Sequence, residues 1–321
     1  MKTVNFKFLI GGSGKIIPMG RQNIITFLLI GYLAVTVILM LSRNVSITPD
    51  RLFIFLLFAA LIIGRLRSFL RDWVPFLALL LAYEMLRGFA DNHFTAHVGS
   101  LVTAEKTLFA GYLPTEVLQD LFYQPGRIGW QDIAATIIYF LHFPLPLAAA
   151  FFLWLKNKQQ YYRFVIALLV LSFAGFITFL LFPAAPPWYA AQEGLISITK
   201  ITNLAVDHLG WTWNLSYYYS RLNPNPVAAI PSLHAAYPFL VLLALRRYSK
   251  TLFWFFLPYP PLVWISTVYL GEHYCIDAIA GVAYAAAAYY LVYNFAAVKK
   301  FVLKVTPANI SRRFKAIETT E

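Results

Sequence analysis

Two histidines and an aspartate are the residues of this chain best placed to do covalent chemistry. In YLGEHYCIDAIAG, His273 and Asp277 stand four residues apart, a spacing that sets both side chains on one face if a helix has begun there. An aspartate accepting from one imidazole nitrogen fixes the tautomer and frees the lone pair of the other for attack. The same pair could also do no more than satisfy each other at a membrane interface. His234, in AAIPSLHAAYP, precedes one apolar run that leads inward and another that returns, so both histidines come back to the same side on neighbouring helices. Two histidines, one held by a carboxylate and one free to carry a proton, are the minimum set for displacement through a phosphohistidine. His273 would attack phosphorus and His234 would protonate the departing oxygen.

Phosphorus chemistry also needs positive charge around the equatorial oxygens. Arg87 in YEMLRGFADNHF is the foremost donor, against a pairing with Glu84 or Asp91; Arg221, Lys106 and Lys200 are others. Ser232 and its neighbouring amides, ahead of a helix start after Pro231, could add anion-binding donors. A metal is the other chemical option. DNHFTAH supplies Asp91, His93 and His97 but lacks the glutamate of the HExxH pattern. No phosphate-cradling GxxxxGK[ST] loop and no dinucleotide fingerprint occur, so the reading carries neither metal nor cofactor. The single cysteine, Cys275, excludes an intrachain disulfide and a thiolate cluster.

The elements that must position these residues are transmembrane helices. Of the 321 residues, 60% are hydrophobic and only 12% charged, more apolar surface than a water-soluble interior of this size can hide. The net charge of +12 fits cytoplasmic Lys and Arg facing anionic lipid rather than nucleic acid. Eight apolar stretches run at about 22–42, 51–64, 73–89, 133–155, 163–183, 229–247, 252–270 and 276–297. The second and third are short, which predicts an all-α polytopic bundle of six to eight spans with both termini cytoplasmic. In that orientation nineteen of the 26 Lys and Arg lie inside. His93, His97, His208, His234 and His273 lie near the outer face, and His142 lies within the fourth stretch.

The expected organisation is a basic tail (1–22), one transmembrane catalytic domain (23–298) with outer loops 90–132 and 184–228, and a second basic tail (299–321). Residues 101–123 read as an interfacial helix kinked near Pro114. The second loop carries Trp188, Trp211, Trp213 and Tyr217 to Tyr219, suited to the headgroup level.

The motifs PSLHAA and GEHYCIDAIAG resemble the second and third signatures of the type 2 phosphatidic acid phosphatase superfamily of membrane enzymes. The resemblance implies His234 as general acid, His273 as nucleophile and Asp277 as its partner. YEMLRGFAD, His142–Phe143, FPAAPPW and the basic tail are similar to the branch containing inositol phosphorylceramide synthases and their bacterial relatives. Two features depart from the superfamily pattern. Thr267 stands where an arginine is usual six residues before the nucleophile, and KTLFAGYLP has Leu113 in place of the arginine of the first motif. Phosphate binding then falls to Arg87, Arg221 and Ser232.

Three functions follow for test. The first is a phosphotransferase moving a polar phosphoryl headgroup, such as phosphoinositol, from a membrane lipid to a lipid hydroxyl. The second is a lipid phosphate phosphatase using water as acceptor through the same histidines. The third is a transporter or scaffold without chemistry, for which His234, His273 and Asp277 would be individually dispensable. In each the partners are membrane lipids, with anionic lipid at the cytoplasmic face.

Overall fold

The computed structural model describes residue 31 and residues 49–89, 96–209 and 227–295, apart from the side chains of 49–54, 84 and 87–89. All of the first apolar stretch except residue 31, both basic tails, Asp91, His93, Arg221 and the loop aromatics from Trp211 to Tyr219 lie outside the described residues, as do the side chains of Glu84 and Arg87. In chain order the helices are α1 (Pro49–Ile62), α2 (Leu66–Phe89), α3 (Gly99–Leu108), α4 (Pro114–Phe122), α5 (Trp130–Phe140), α6 (Pro144–Lys156), α7 (Lys158–Leu181), α8 (Pro187–Gln192), α9 (Ile201–His208), α10 (Leu233–Tyr248), α11 (Lys250–Phe256), α12 (Tyr259–Tyr269) and α13 (Cys275–Tyr293). Among the described residues β-structure is limited to isolated bridges.

The expected all-helical architecture is present, and it includes helices suited to crossing a membrane. Among the described residues, three segments, Lys158–Leu181, Lys250–Tyr269 and Cys275–Tyr293, are long and apolar enough to cross a bilayer. The expected span at 133–155 is broken into two helices, Trp130–Phe140 and Pro144–Lys156, which meet at 45° and together are long and apolar enough to make a fourth. Pro144, which has no amide N–H to donate, opens the second of these helices, with Pro146 in its first turn. The stretch at 229–247 yields the 16-residue α10, because Ser232 caps it only at Leu233. Residues 101–123 likewise break rather than kink: Ala110 and Gly111 take left-handed φ values of 52° and 95° between α3 and α4, and Pro114 opens α4.

The bundle centres on α10 and α13, with α7 against both and α12 and α6 against α10. Trp73, Phe151, Trp154, Tyr161, Phe164, Leu171 and Leu240 are among its buried side chains. Outward residues such as Phe58, Met85, Leu181, Phe255, Ile265 and Ile279 are exposed, as a lipid-facing surface requires. The buried Asp72 on α2 accepts from Trp154 Nε1 at 2.8 Å, Tyr162 OH at 2.8 Å and Arg71 Nε at 3.0 Å, and pairs with Lys158, tying α2 to α6 and α7.

The described parts of both expected outer loops are folded. Ala184 of FPAAPPW bridges His97 on one side and Ala228 on the other, while Trp188 N–H donates to Gly271 O at 3.1 Å. The second loop thereby joins the first to the turn that bears His273.

Candidate active site

His234 and His273 meet because α10 and α13 approach almost to backbone contact. A Cβ on Gly281 would stand 2.2 Å from Ser232 O, so only glycine permits this crossing. Ser232 N–H donates to Asp277 O at 2.9 Å, and the Ser232 hydroxyl, fully buried, caps α10 by accepting from Ala235 N–H at 3.2 Å. His234 follows in the first turn.

His273 sits in the turn between α12 and α13. Gly271 makes that turn with φ +80°, and a Cβ there would meet Ile198 Cδ1 at 2.9 Å and Thr199 O at 3.1 Å. Thr267, at the position of the absent arginine, is fully buried. Its carbonyl accepts from Glu272 and His273 N–H, and its hydroxyl donates back to Trp264 O. It shapes the turn and presents no cation.

Helix α13 begins only at Cys275, so His273 and Asp277 do not share a helical face as the spacing implied. Asp277 is the third residue of α13, and its Oδ2 accepts from Tyr274 N–H at 2.9 Å. The same oxygen lies 3.4 Å from His273 Nδ1, an ion-pair separation without hydrogen-bond alignment. On the other side, His273 Nε2 is 2.7 Å from His234 Nδ1. His234 Nε2 is in turn 3.0 Å from the hydroxyl of Tyr139, a buried residue of α5. Tyr139, His234, His273 and Asp277 thus form one chain of polar contacts.

Two members of the surroundings escaped the sequence reading. Tyr139 lies in the last turn of α5, which ends at Phe140, and no local spacing singles it out. Buried His142 packs its ring 4.2 Å from that of His234. The other is Glu105 of α3, fully buried. Glu105 Oε1 accepts from Cys275 N–H at 2.8 Å and Oε2 from Ile276 N–H at 3.1 Å, so it satisfies two first-turn amides of α13 from 170 residues away. Burial pushes the Glu105 carboxyl above its ordinary pKa and the charge of Asp277 adds to this, while the two amides act the other way.

The remaining candidates are dispersed. Lys200 Nζ lies 3.9 Å from the Trp188 ring centroid and 3.9 Å from Oε1 of buried Glu272. Lys106 is in the last turn of α3 and Arg87 in that of α2. His97 stacks on Phe182, centroids 4.2 Å apart.

Comparison with known proteins adds a family likeness. The PAP2 superfamily model matches residues 116–291, a span that holds Tyr139, His234, His273 and Asp277 but neither Glu105 nor Arg87. The phosphoinositol dihydroceramide synthase of Bacteroides thetaiotaomicron is 29% identical over 255 residues, covering 75% of this chain and 81% of that protein. The inositol phosphorylceramide synthase of Candida albicans is 29% identical over 160 residues, 48% of this chain and 34% of the relative. The inositol phosphorylceramide synthase catalytic subunit of Saccharomyces cerevisiae is 26% identical over 230 residues, 68% and 55% respectively. The chain therefore spans only part of the two fungal relatives. No solved structure matches.

Proposed function

The chain belongs to the PAP2 superfamily, and from that membership we propose that it is a phosphotransferase moving a polar phosphoryl headgroup, phosphoinositol being the favoured one, from a membrane lipid to a lipid hydroxyl through a phosphohistidine. The observation that carries this reading is the 2.7 Å contact between His234 Nδ1 and His273 Nε2, backed by Asp277 at 3.4 Å.

In the first step the two rings part to admit the donor phosphate. The Nε2 lone pair of His273 forms a bond to phosphorus while the bond from phosphorus to the lipid oxygen breaks, and His234 gives that oxygen its proton. Asp277 balances the charge that His273 gains. In the second step the acceptor hydroxyl loses its proton to His234 as its oxygen bonds to phosphorus, and the bond to His273 breaks. Tyr139 orients His234 throughout. Arg87 and Arg221 hold the phosphate oxygens, while buried Ser232, with its N–H given to Asp277 O and its hydroxyl capping α10, fixes the start of the helix that carries His234; the reaction runs at the outer face of the membrane. The names of the relatives, all synthases of inositol phosphate-bearing ceramides, support a ceramide-type hydroxyl as acceptor over water.

The test supplies phosphatidylinositol with a ceramide, and phosphatidic acid in parallel, to the enzyme in mixed micelles. The expected result is a phosphoinositol lipid that requires both the added hydroxyl and His273, and so is lost in His273→Ala. Free phosphate from phosphatidic acid as the only His273-dependent product makes the protein a phosphatase and overturns the transfer reading.

A further inference from the structure

At the end of the bundle away from the histidines, three arginines gather, and no carboxylate among the described residues pairs with them. Arg163 comes from the second turn of α7, and Arg246 and Arg247 from the last turn of α10. Twelve residues of α10 separate Arg246 from His234, about 18 Å at 1.5 Å per residue. The arginines surround the last turns of α13, where Tyr289 and Tyr293 stack with centroids 4.2 Å apart. Arg163 Cζ lies 6.0 Å from the Tyr293 ring and Arg246 Cζ 5.7 Å from the Phe253 ring. All three guanidinium charges act on Tyr289, and those of Arg163 and Arg247 act on Tyr293.

Two features set this cluster apart from ordinary interfacial arginines. Arg246 and Arg247 complement the negative end of the α10 dipole, whereas Arg163, in the second turn of α7, lies beyond the reach of that helix's dipole. The Tyr293 hydroxyl is buried without a hydrogen-bond partner, although it lies within the field of Arg163 and Arg247. No Asp or Glu among the described residues pairs with any of the three arginines. An anionic oxygen that accepts from Tyr293 would satisfy the hydroxyl and relieve the like-charge crowding together.

We propose that Arg163, Arg246, Arg247 and Tyr293 form a second binding site, distinct from the histidine site, for a phosphate-bearing anion. Its ligand is the phosphate of an anionic lipid in the leaflet opposite the active site or a soluble phosphate monoester of the same chemistry. The site does not depend on the reaction proposed above.

The experiment is native mass spectrometry of the detergent-purified full chain, titrated with phosphatidic acid, with phosphatidylcholine of the same acyl chains, and with phosphatidic acid in competition with glycerol 3-phosphate. Wild type should retain phosphatidic acid over phosphatidylcholine. Arg163→Gln/Arg247→Gln should weaken that retention at least tenfold, Tyr293→Phe severalfold, and Arg163→Lys/Arg247→Lys should restore part of it. His273→Ala should leave it intact, since the lipid counted is not the one held at the histidines. Competition by millimolar glycerol 3-phosphate identifies a soluble ligand, and its failure identifies the lipid. Should Arg163→Gln/Arg247→Gln not fold, Tyr293→Phe decides: it removes an unpaired hydroxyl, so the variant should unfold no earlier than wild type yet bind phosphatidic acid more weakly. Equal retention by wild type and the arginine and Tyr293 variants, or loss of all selective retention in His273→Ala, overturns the site.

Discussion

Replacing Glu105 with alanine tests whether the geometry around the nucleophile is held from outside its own helix. The substitution leaves Cys275 and Ile276 N–H without their acceptors, 2.8 Å and 3.1 Å away in the wild type. Two buried amides left unpaired cost about 1–3 kcal/mol each. Relief of a buried carboxylate beside Asp277 returns part of that, so the net loss of stability should be about 1–3 kcal/mol. The larger effect is on catalysis. The freed amides belong to the same first turn as Asp277, whose Oδ2 already serves Tyr274 N–H at 2.9 Å while facing His273 at 3.4 Å. They will draw that carboxylate away from the imidazole. A displacement on the order of 1 Å costs about 100-fold in rate, so kcat for headgroup transfer should fall ten- to hundredfold with KM within threefold. Because Glu105 acts through Asp277, adding Glu105→Ala to Asp277→Asn should slow the enzyme little further. A folded Glu105→Ala enzyme with kcat within twofold of wild type would refute this reasoning, as would full additivity with Asp277→Asn.

Three further outcomes follow from the same geometry. Tyr139→Phe removes the hydroxyl 3.0 Å from His234 Nε2; one neutral hydrogen bond of about 0.5–1.5 kcal/mol predicts a two- to tenfold lower kcat in steady-state transfer assays. Gly281→Ala sets a methyl 2.2 Å from the Ser232 carbonyl, so it should destabilise the fold by about 1–3 kcal/mol or more, read as earlier thermal unfolding with activity lost alongside. The third concerns pH. Burial raises the Glu105 carboxyl above the ordinary value of 4.5, so its contribution to stability is complete below that value and is lost as pH rises through the raised one. Thermal unfolding of the wild type should decline over that window, and Glu105→Gln, with no proton to lose, should lack that part of the decline.

The helical membrane character and the pairing of His234 with His273 were legible in the sequence, because both rest on local signals: apolar runs of bilayer length and two histidines at returning helix ends. What was not legible depends on approaches between distant segments. Glu105 reads as one more acid in an amphipathic stretch until α3 is placed over the start of α13. Gly281 is one small residue in an alanine-rich helix until Ser232 lies against it. The break at 141–143 escaped the hydropathy pattern because Leu141, His142 and Phe143 leave the apolar run nearly unbroken, and only Pro144 and Pro146 mark it. The His273–Asp277 spacing was read correctly as a contact but for the wrong local reason, since a capping turn and not a helical face brings the two together.

That capping turn also determines where the phosphate charge must be met. A helix N-terminus ordinarily offers its amides to an anion, but Glu105 takes those of Cys275 and Ile276 while Asp277 takes that of Tyr274. Thr267 supplies no charge in place of the usual arginine, and Lys200 is engaged with Trp188 and Glu272. The burden in the proposed reaction therefore passes to Arg87, in the last turn of α2, and to Arg221. Loss of one donor to a developing phosphoryl charge typically costs 100- to 1,000-fold in rate. Arg87→Gln should lower kcat/KM for headgroup transfer by about that factor, whereas Lys200→Gln should change it less than tenfold. The reverse ranking, measured on folded variants, would move the phosphate site to the Trp188 side of the histidines and remove Arg87 from the mechanism.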